Sequence, residues 1–207
     1  MYFVTDLRPG LEELLSAALS GGVDMVQLRD RTASDAQLVS AAGVFRRACD
    51  SHDALFWLND RAELAAACGA DGVHVGQDDI AVAKARRLAG ADVLVGLSTH
   101  SPEQLASALS ATGADAADEL SVGPVWETPT KEGRPAAGLE YVRHAVAVAG
   151  ERVPWFAIGG IDLDNVREVT AAGASRIVVV RAIRDAPDPH AAARTLRAAL
   201  ADGEELA

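Results

Sequence analysis

The sequence predicts a closed (β/α)8 barrel that forms a single domain over residues 1–207. Short apolar runs alternate with longer, alanine-rich amphipathic stretches from end to end, the pattern of strands each followed by a helix. Eight such units share 207 residues, about 26 apiece, the size of a compact barrel repeat. A doubly wound open sheet is the competing arrangement, and the lack of a dinucleotide-binding glycine fingerprint favours closure.

The units run in order. Tyr2–Thr5 is apolar and reads as a strand; the helix Leu11–Ser20 follows and stops at Gly21-Gly22. Met25–Arg29 leads into the long amphipathic stretch Asp35–Ser51, and Leu55–Asn59 into Arg61–Cys68, closed by Gly69. Gly72–Val75 precedes the helix Ile80–Ala89. Val93–Leu97 precedes Pro102–Ala111, where Ser101-Pro102-Glu103-Gln104 reads as a capping box with proline at the first helical position. Gly113 ends that helix. The sixth strand, Leu120–Val122, is the least apolar at its start, where Asp118 and Glu119 stand; Leu139–Val148 is its helix. Trp155–Ile158 leads to Asp164–Ala171 and Gly173, and Arg176–Val180 to Pro189–Ala201.

A formal charge of −11 argues against nucleic acid and anionic membrane surfaces, which need basic patches, but leaves anionic small molecules open as partners. No apolar run approaches the roughly 20 residues that span a bilayer, and the start shows no signal-peptide pattern. Cys49 and Cys68 form no metal or redox motif and read as reduced thiols, so a cytoplasmic protein is expected. Association into a homo-oligomer stays open.

Polar residues and glycines gather at the C-terminal ends of the strands: Gln27-Leu28-Arg29, Asn59-Asp60, His74 to Gln77, Gly96 to Ser98, Gly123-Pro124, Gly159-Gly160 and Arg181. A closed barrel brings those ends to one rim, where barrel enzymes do their chemistry. Gln27 and Arg29 lie two apart and share a face; the arginine suits a forked contact with phosphate, or a rim salt bridge. Asp60 and Asp79 follow adjacent strands and suit Mg²⁺ completed by substrate oxygens, although Asp78 or Asp79 could instead cap the helix at Ile80. Thr128-Pro129-Thr130-Lys131 can cradle phosphate or merely form a turn. Gly159-Gly160 either lets backbone approach an anion beside the next helix start or makes a tight turn. His74 fits a packed, hydrogen-bonded core histidine better than a metal ligand. His52, His100, His144 and His190 form no ligand spacing, and no nucleophile triad or zinc arrangement is evident.

Taken in order, the segments Val26–Arg31, Leu58–Asp60, Asp71–Asp79, Gly96–Ser101, Gly123–Lys131, Gly138–Glu140, Ala157–Ile161 and Val178–Ile183 resemble the thiamine-phosphate synthase family across nearly the whole chain. The resemblance implies a barrel enzyme that joins 4-amino-2-methyl-5-(diphosphomethyl)pyrimidine to 4-methyl-5-(2-phosphoethyl)thiazole, or its carboxylated form, releasing pyrophosphate. It further implies that Gln27, Leu28, Arg29, Asp30, Arg31, Asn59, Ser98 and Lys131 bind the pyrimidine diphosphate, with Arg29, Ser98 and Lys131 catalytic. Thr128, Pro129, Thr130, Gly160, Val180 and Arg181 would surround the thiazole phosphate, and Asp60 and Asp79 would hold Mg²⁺. Such a reaction asks for a stabilised leaving group and a positioned acceptor more than for a general base.

The chain departs from the family pattern at Arg31, usually lysine, and at Arg181, usually serine. Each departure puts a guanidinium where contacts are expected to change. A thiazole tautomerase of the same superfamily is the nearest alternative, but it should not need the full set Gln27, Arg29, Asn59, Asp60, Asp79 and Lys131. A non-catalytic binder of thiamine precursors is a further alternative. A sugar-phosphate epimerase is disfavoured because no paired acid and base is evident.

Overall fold

The computed structural model describes residues 1–128 and 135–204. Eight parallel strands close into a barrel in sequence order: β1 (Tyr2–Thr5), β2 (Met25–Leu28), β3 (Leu55–Asn59), β4 (Gly72–Val75), β5 (Leu94–Thr99), β6 (Glu119–Val122), β7 (Trp155–Ile158) and β8 (Ile177–Val179). Around it lie α1 (Leu11–Ser20), α2 (Asp35–Asp50), α3 (Ala65–Cys68), α4 (Val82–Ala89), α5 (Pro102–Ser110), α6 (Gly138–Ala149), α7 (Val166–Ala171), α8 (Arg181–Arg184) and α9 (Pro189–Glu204). The predicted fold stands, and all eight strands fall where the apolar runs placed them.

Several boundaries move, each for a local reason. The third helix is a 3-10 turn at Ala62–Leu64 followed by one α-turn, because Asp60 adopts a left-handed conformation (φ 62°) and delays the helix. β5 extends to Thr99, so Ser98 sits within the strand. The short helix α8 was not expected from the sequence; it puts Arg181 at a helix start just past β8. The predicted capping box at Ser101 is only half made. Ser101 accepts from the Gln104 N–H, but the Gln104 side chain turns to the His100 N–H. A full capping box forms instead between Ser34 and Gln37.

Strand alternation builds two cores. Outward residues such as Phe3, Val26, Leu28, Leu58, Val73 and Val95 pack with the helices. Inward residues Tyr2, Val4, Met25, Trp57, Phe156 and Val178 form a separate cluster inside the barrel. There the Tyr2 ring stands edge-on to Phe156 at 5.5 Å and tilted to Trp57 at 6.0 Å, a preferred aromatic geometry. Bulk of this kind closes the lower barrel. It leaves the upper barrel, toward the C-terminal strand ends, to smaller and more polar side chains.

Candidate active site

A cavity of about 750 Å³ opens at the C-terminal ends of the strands, resting on Tyr2 and Val4 of the plug and on Gln27, Ser98 and Ser121 above it. Gln27 faces inward and donates through Nε2 to the Tyr2 hydroxyl. Burial, with Glu119 nearby, drives the Tyr2 phenol well above its ordinary range. Tyr2 is therefore neutral and polar at the base of the cavity.

The β2–β4 side of the mouth is ionic. Arg29 continues the β1–β2 ladder by one bond beyond the strand, its N–H donating to Thr5 O at 2.9 Å, and its side chain reaches the cavity with that of Arg31. Burial first, then the charge of Arg31, pull the Arg29 guanidinium below its usual value, while Asp60 and Asp79 act the other way. The left-handed turn at Asp60 is tied to β4 by its N–H donating to His74 O at 2.9 Å, which aims the carboxylate into the mouth beside Asn59. Asp79 does not cap a helix. Its Oδ2 accepts from the Gly76 N–H at 2.8 Å, whereas α4 begins only at Val82 with Ala81 at its cap position. Asp79 thereby folds over Gly76, where a Cβ would lie 2.8 Å from Oδ2. Burial, and then the adjacent Asp79, push the Asp60 carboxyl above the usual carboxylate range. Two carboxylates so placed repel one another and favour a shared cation.

The β7–β8 side is made differently. Gly159 and Gly160 both have left-handed backbones (φ 109° and 69°), and the chain after β6 lies against them: the Trp126 N–H donates to Gly159 O at 3.0 Å. A Cβ on Gly159 would lie 2.5 Å from Pro124 Cα and one on Gly160 2.8 Å from Trp126 Cβ, so neither position admits a side chain without movement. Gly160, Ile158, Val180, Thr128 and Arg181 face the cavity here. The next helix, α7, starts at Val166, six residues beyond Gly160, rather than immediately after it; the intervening turn is held by Asn165 Nδ2 donating to Gly160 O at 2.8 Å.

Most of the residues expected from the sequence therefore meet at one cavity: Gln27, Arg29, Arg31, Asn59, Asp60, Asp79, Ser98, Thr128, Gly160, Val180 and Arg181. Leu28 and Asp30 do not line it. Leu28 points outward and is fully buried against the helices, as the period of a strand requires. Although burial works against its charge, Asp30 is held below the usual range by bonds from the Thr32 hydroxyl and the Thr32, Ala33 and Leu7 N–H groups, so it organises the loop. Pro129, Thr130 and Lys131 lie outside the described residues. Lining groups that the sequence did not single out include Ser121 and Asp162; Gln77, from the polar series at the strand ends, donates to Ser98 O at 2.6 Å.

The profile of the thiamine monophosphate synthase family matches residues 1–183. The chain belongs to this family. A thiamine-phosphate synthase of Acidothermus cellulolyticus is 53% identical over 204 residues, spanning 97% of this chain and 94% of that protein. Another from Saccharopolyspora erythraea is 51% identical over 208 residues, spanning 97% and 92%. Thiamine phosphate pyrophosphorylase from Pyrococcus furiosus has a solved structure that matches this one with a TM-score of 0.86 at 31% identity, covering 98% of this chain and 96% of that one. Family membership makes the chain an enzyme of the transferase class within thiamine biosynthesis. Among the described residues, no helix is long and apolar enough to cross a membrane.

Proposed function

We propose that the chain is a thiamine-phosphate synthase that condenses the pyrimidine diphosphate with the thiazole phosphate at this cavity, with Mg²⁺, in the cytoplasm. The observation that carries this reading is the division of the mouth: a charged side with two arginines, the abutting carboxylates of Asp60 and Asp79 and the nearby Asp78, and a facing side largely of backbone and apolar side chains with Thr128, Asp162 and Arg181. A diphosphate needs the first and a neutral ring with a phosphate tail suits the second.

Asp60 and Asp79 fit Mg²⁺, because two carboxylates leave coordination places for diphosphate oxygens and water. When bound, the ion would supply charge neutralisation for the departing pyrophosphate. Arg29 and Arg31 do the same from the protein side, through forked N–H contacts to the leaving oxygens. Gln27 and Ser98 orient the aminopyrimidine ring against the cavity floor. The CH₂–O bond to pyrophosphate breaks with its electron pair leaving on oxygen, and the ring's amino group stabilises the resulting cation. The thiazole nitrogen, held against Ile158, Val180 and the Gly160 turn, then donates its lone pair to that carbon. Arg181 is placed to take the thiazole phosphate. Lys131, at the end of the segment that begins with Thr128, is proposed to join the diphosphate.

The test is product identity. Purified protein with both substrates and Mg²⁺ is expected to yield thiamine phosphate by mass spectrometry, and neither substrate alone to yield it. Absence of the product with both substrates present would overturn the assignment.

A further inference from the structure

The cavity floor rests on a buried hydrogen-bonded set that the contacts above leave unexplained. Strand register pairs His74 of β4 with Gly96 of β5, and Gly96 with Glu119 of β6. Because the middle position has no side chain, the outer two meet across it, and His74 Nδ1 lies 3.0 Å from Glu119 Oε2. A Cβ at Gly96 would overlap Glu119 Oε2 and lie 2.6 Å from His74 Nδ1, so the pair exists only because that position is glycine. One layer nearer the mouth, Ser98 pairs in register with Ser121, and both line the cavity. Ser98 Oγ is 2.9 Å from His74 Nε2, and Ser121 Oγ donates to Glu119 Oε1 at 3.3 Å. Glu119 is 3% exposed, His74 7%, and each serine 2%.

The direction of these bonds follows from what each group can do. A carboxylate only accepts, so Glu119 takes the Nδ1–H of His74 and the O–H of Ser121. A neutral imidazole in that tautomer offers its Nε2 lone pair, to which the Ser98 hydroxyl can donate. With both hydroxyl protons turned toward His74 and Glu119, each serine oxygen, which lines the cavity, meets a ligand there as an acceptor. Replacing a buried polar pair of this type by apolar residues of similar volume often costs no stability, so stability alone gives little reason to keep it.

We propose that Glu119 and His74 are positioning residues that fix the hydroxyls of Ser98 and Ser121 as hydrogen-bond acceptors, so that the floor selects a ring bearing an amino group and favours positive charge growing on that ring. This deepens the donor assignment above and rests on it. The floor opposes the mouth in character: acceptor oxygens hold the ring below, and arginines hold the diphosphate above. As the CH₂–O bond breaks, the two fragments are drawn toward opposite ends of the cavity.

The experiment measures kcat and KM for two donors, the 4-aminopyrimidine diphosphate and its analogue lacking the amino group, each with thiazole phosphate and Mg²⁺. The wild-type chain is expected to prefer the amino donor by about 100-fold or more, both because the amino group itself stabilises the cation and because a site built of acceptors rejects a ring without the donor. Glu119→Gln keeps the shape of the side chain but offers an NH₂ to Ser121. It is expected to lose about 10-fold of that preference, in kcat more than in KM, with the KM for thiazole phosphate unchanged. In a Ser98→Ala/Ser121→Ala background the same substitution should cost less than about twofold, because its route to the substrate is gone. A folded Glu119→Gln protein that keeps the full preference overturns the proposal, as does a loss of equal size in both backgrounds. Should Glu119→Gln fail to fold, Ser121→Ala reads the same floor with little change in packing. About threefold loss of preference supports the proposal, and none overturns it. A wild-type chain that releases pyrophosphate from neither donor would instead sink the donor assignment itself, a result distinct from an active enzyme indifferent to Glu119.

Discussion

The two sides of the barrel mouth solve the problem of holding phosphate in different materials. On β2–β4 the site consists of charged side chains, Arg29, Arg31, Asp60 and Asp79, all in the segments just past their strands. On β7–β8 it consists largely of main chain and apolar surface, with the Gly159–Gly160 turn pressed against Pro124 and Trp126. The first side is strong because it concentrates opposite charges in a partly dry cavity, and it leaves two like-charged carboxylates in contact. The second side carries little strain from charge and depends on shape. Substitutions on the two sides should therefore fail in different ways.

Removing the metal is the harshest way to break the charged side. Chelation of Mg²⁺ with EDTA is expected to lower the rate of pyrophosphate release by about 1000-fold or more, with recovery on adding Mg²⁺ back. An unchanged rate would remove Asp60 and Asp79 from the proposed metal site. Next in size is Arg29→Ala, expected to reduce kcat/KM for the pyrimidine diphosphate by about 100-fold while leaving the KM for thiazole phosphate within about twofold.

The shape-based side is probed by Gly160→Ala, whose new methyl group meets Trp126 and whose backbone resists the left-handed conformation. The KM for thiazole phosphate is expected to rise about 10-fold with little change for the diphosphate, and the fold to lose about 1–2 kcal/mol. If Arg29→Ala and Gly160→Ala moved both KM values together, the division of the mouth would have no functional meaning.

The smallest effect concerns stability. Because the folded protein raises the Asp60 carboxyl above its usual range, through burial and then Asp79, folding favours its protonated form. The resulting destabilisation is absent below the ordinary carboxylate range and fully present once the pH exceeds the raised folded value. In metal-free buffer at pH 7, Asp60→Asn should therefore melt roughly 1–3 °C above wild type, a modest gain because the site is partly open to solvent. Added Mg²⁺ should stabilise wild type and leave Asp60→Asn nearly unmoved. A lower melting temperature for Asp60→Asn without metal would contradict the repulsion.

The comparison also explains what the sequence made legible. Charged and amide residues just past a strand announce themselves, so Arg29, Asn59, Asp60 and Asp79 were visible as soon as the strands were located. The same alternation that puts Gln27 and Arg29 inside sends Leu28 outward, so a motif of consecutive residues is split between the cavity and the helices. Asp79 looked equally able to cap a helix, because the two-residue delay before α4 depends on its bond to the Gly76 N–H. The partnership of Glu119 with His74 was beyond a local reading. A charged residue opening the sixth strand weakened that strand's pattern. Its inward direction makes sense only beside Gly96, a residue 23 positions earlier in the chain that the barrel places between the two. The expectation that His74 is a packed, hydrogen-bonded core histidine rather than a metal ligand agrees with its contacts to Glu119 and Ser98.

Calorimetric titration of inorganic pyrophosphate into the wild-type, Arg29→Ala and Gly160→Ala proteins, with and without Mg²⁺, shows whether one side of the mouth takes a metal-bound diphosphate. A single site is expected that requires Mg²⁺, weakens about 10-fold or more in Arg29→Ala and is unchanged in Gly160→Ala. Binding of equal strength without the metal, or equal losses in the two variants, would contradict it.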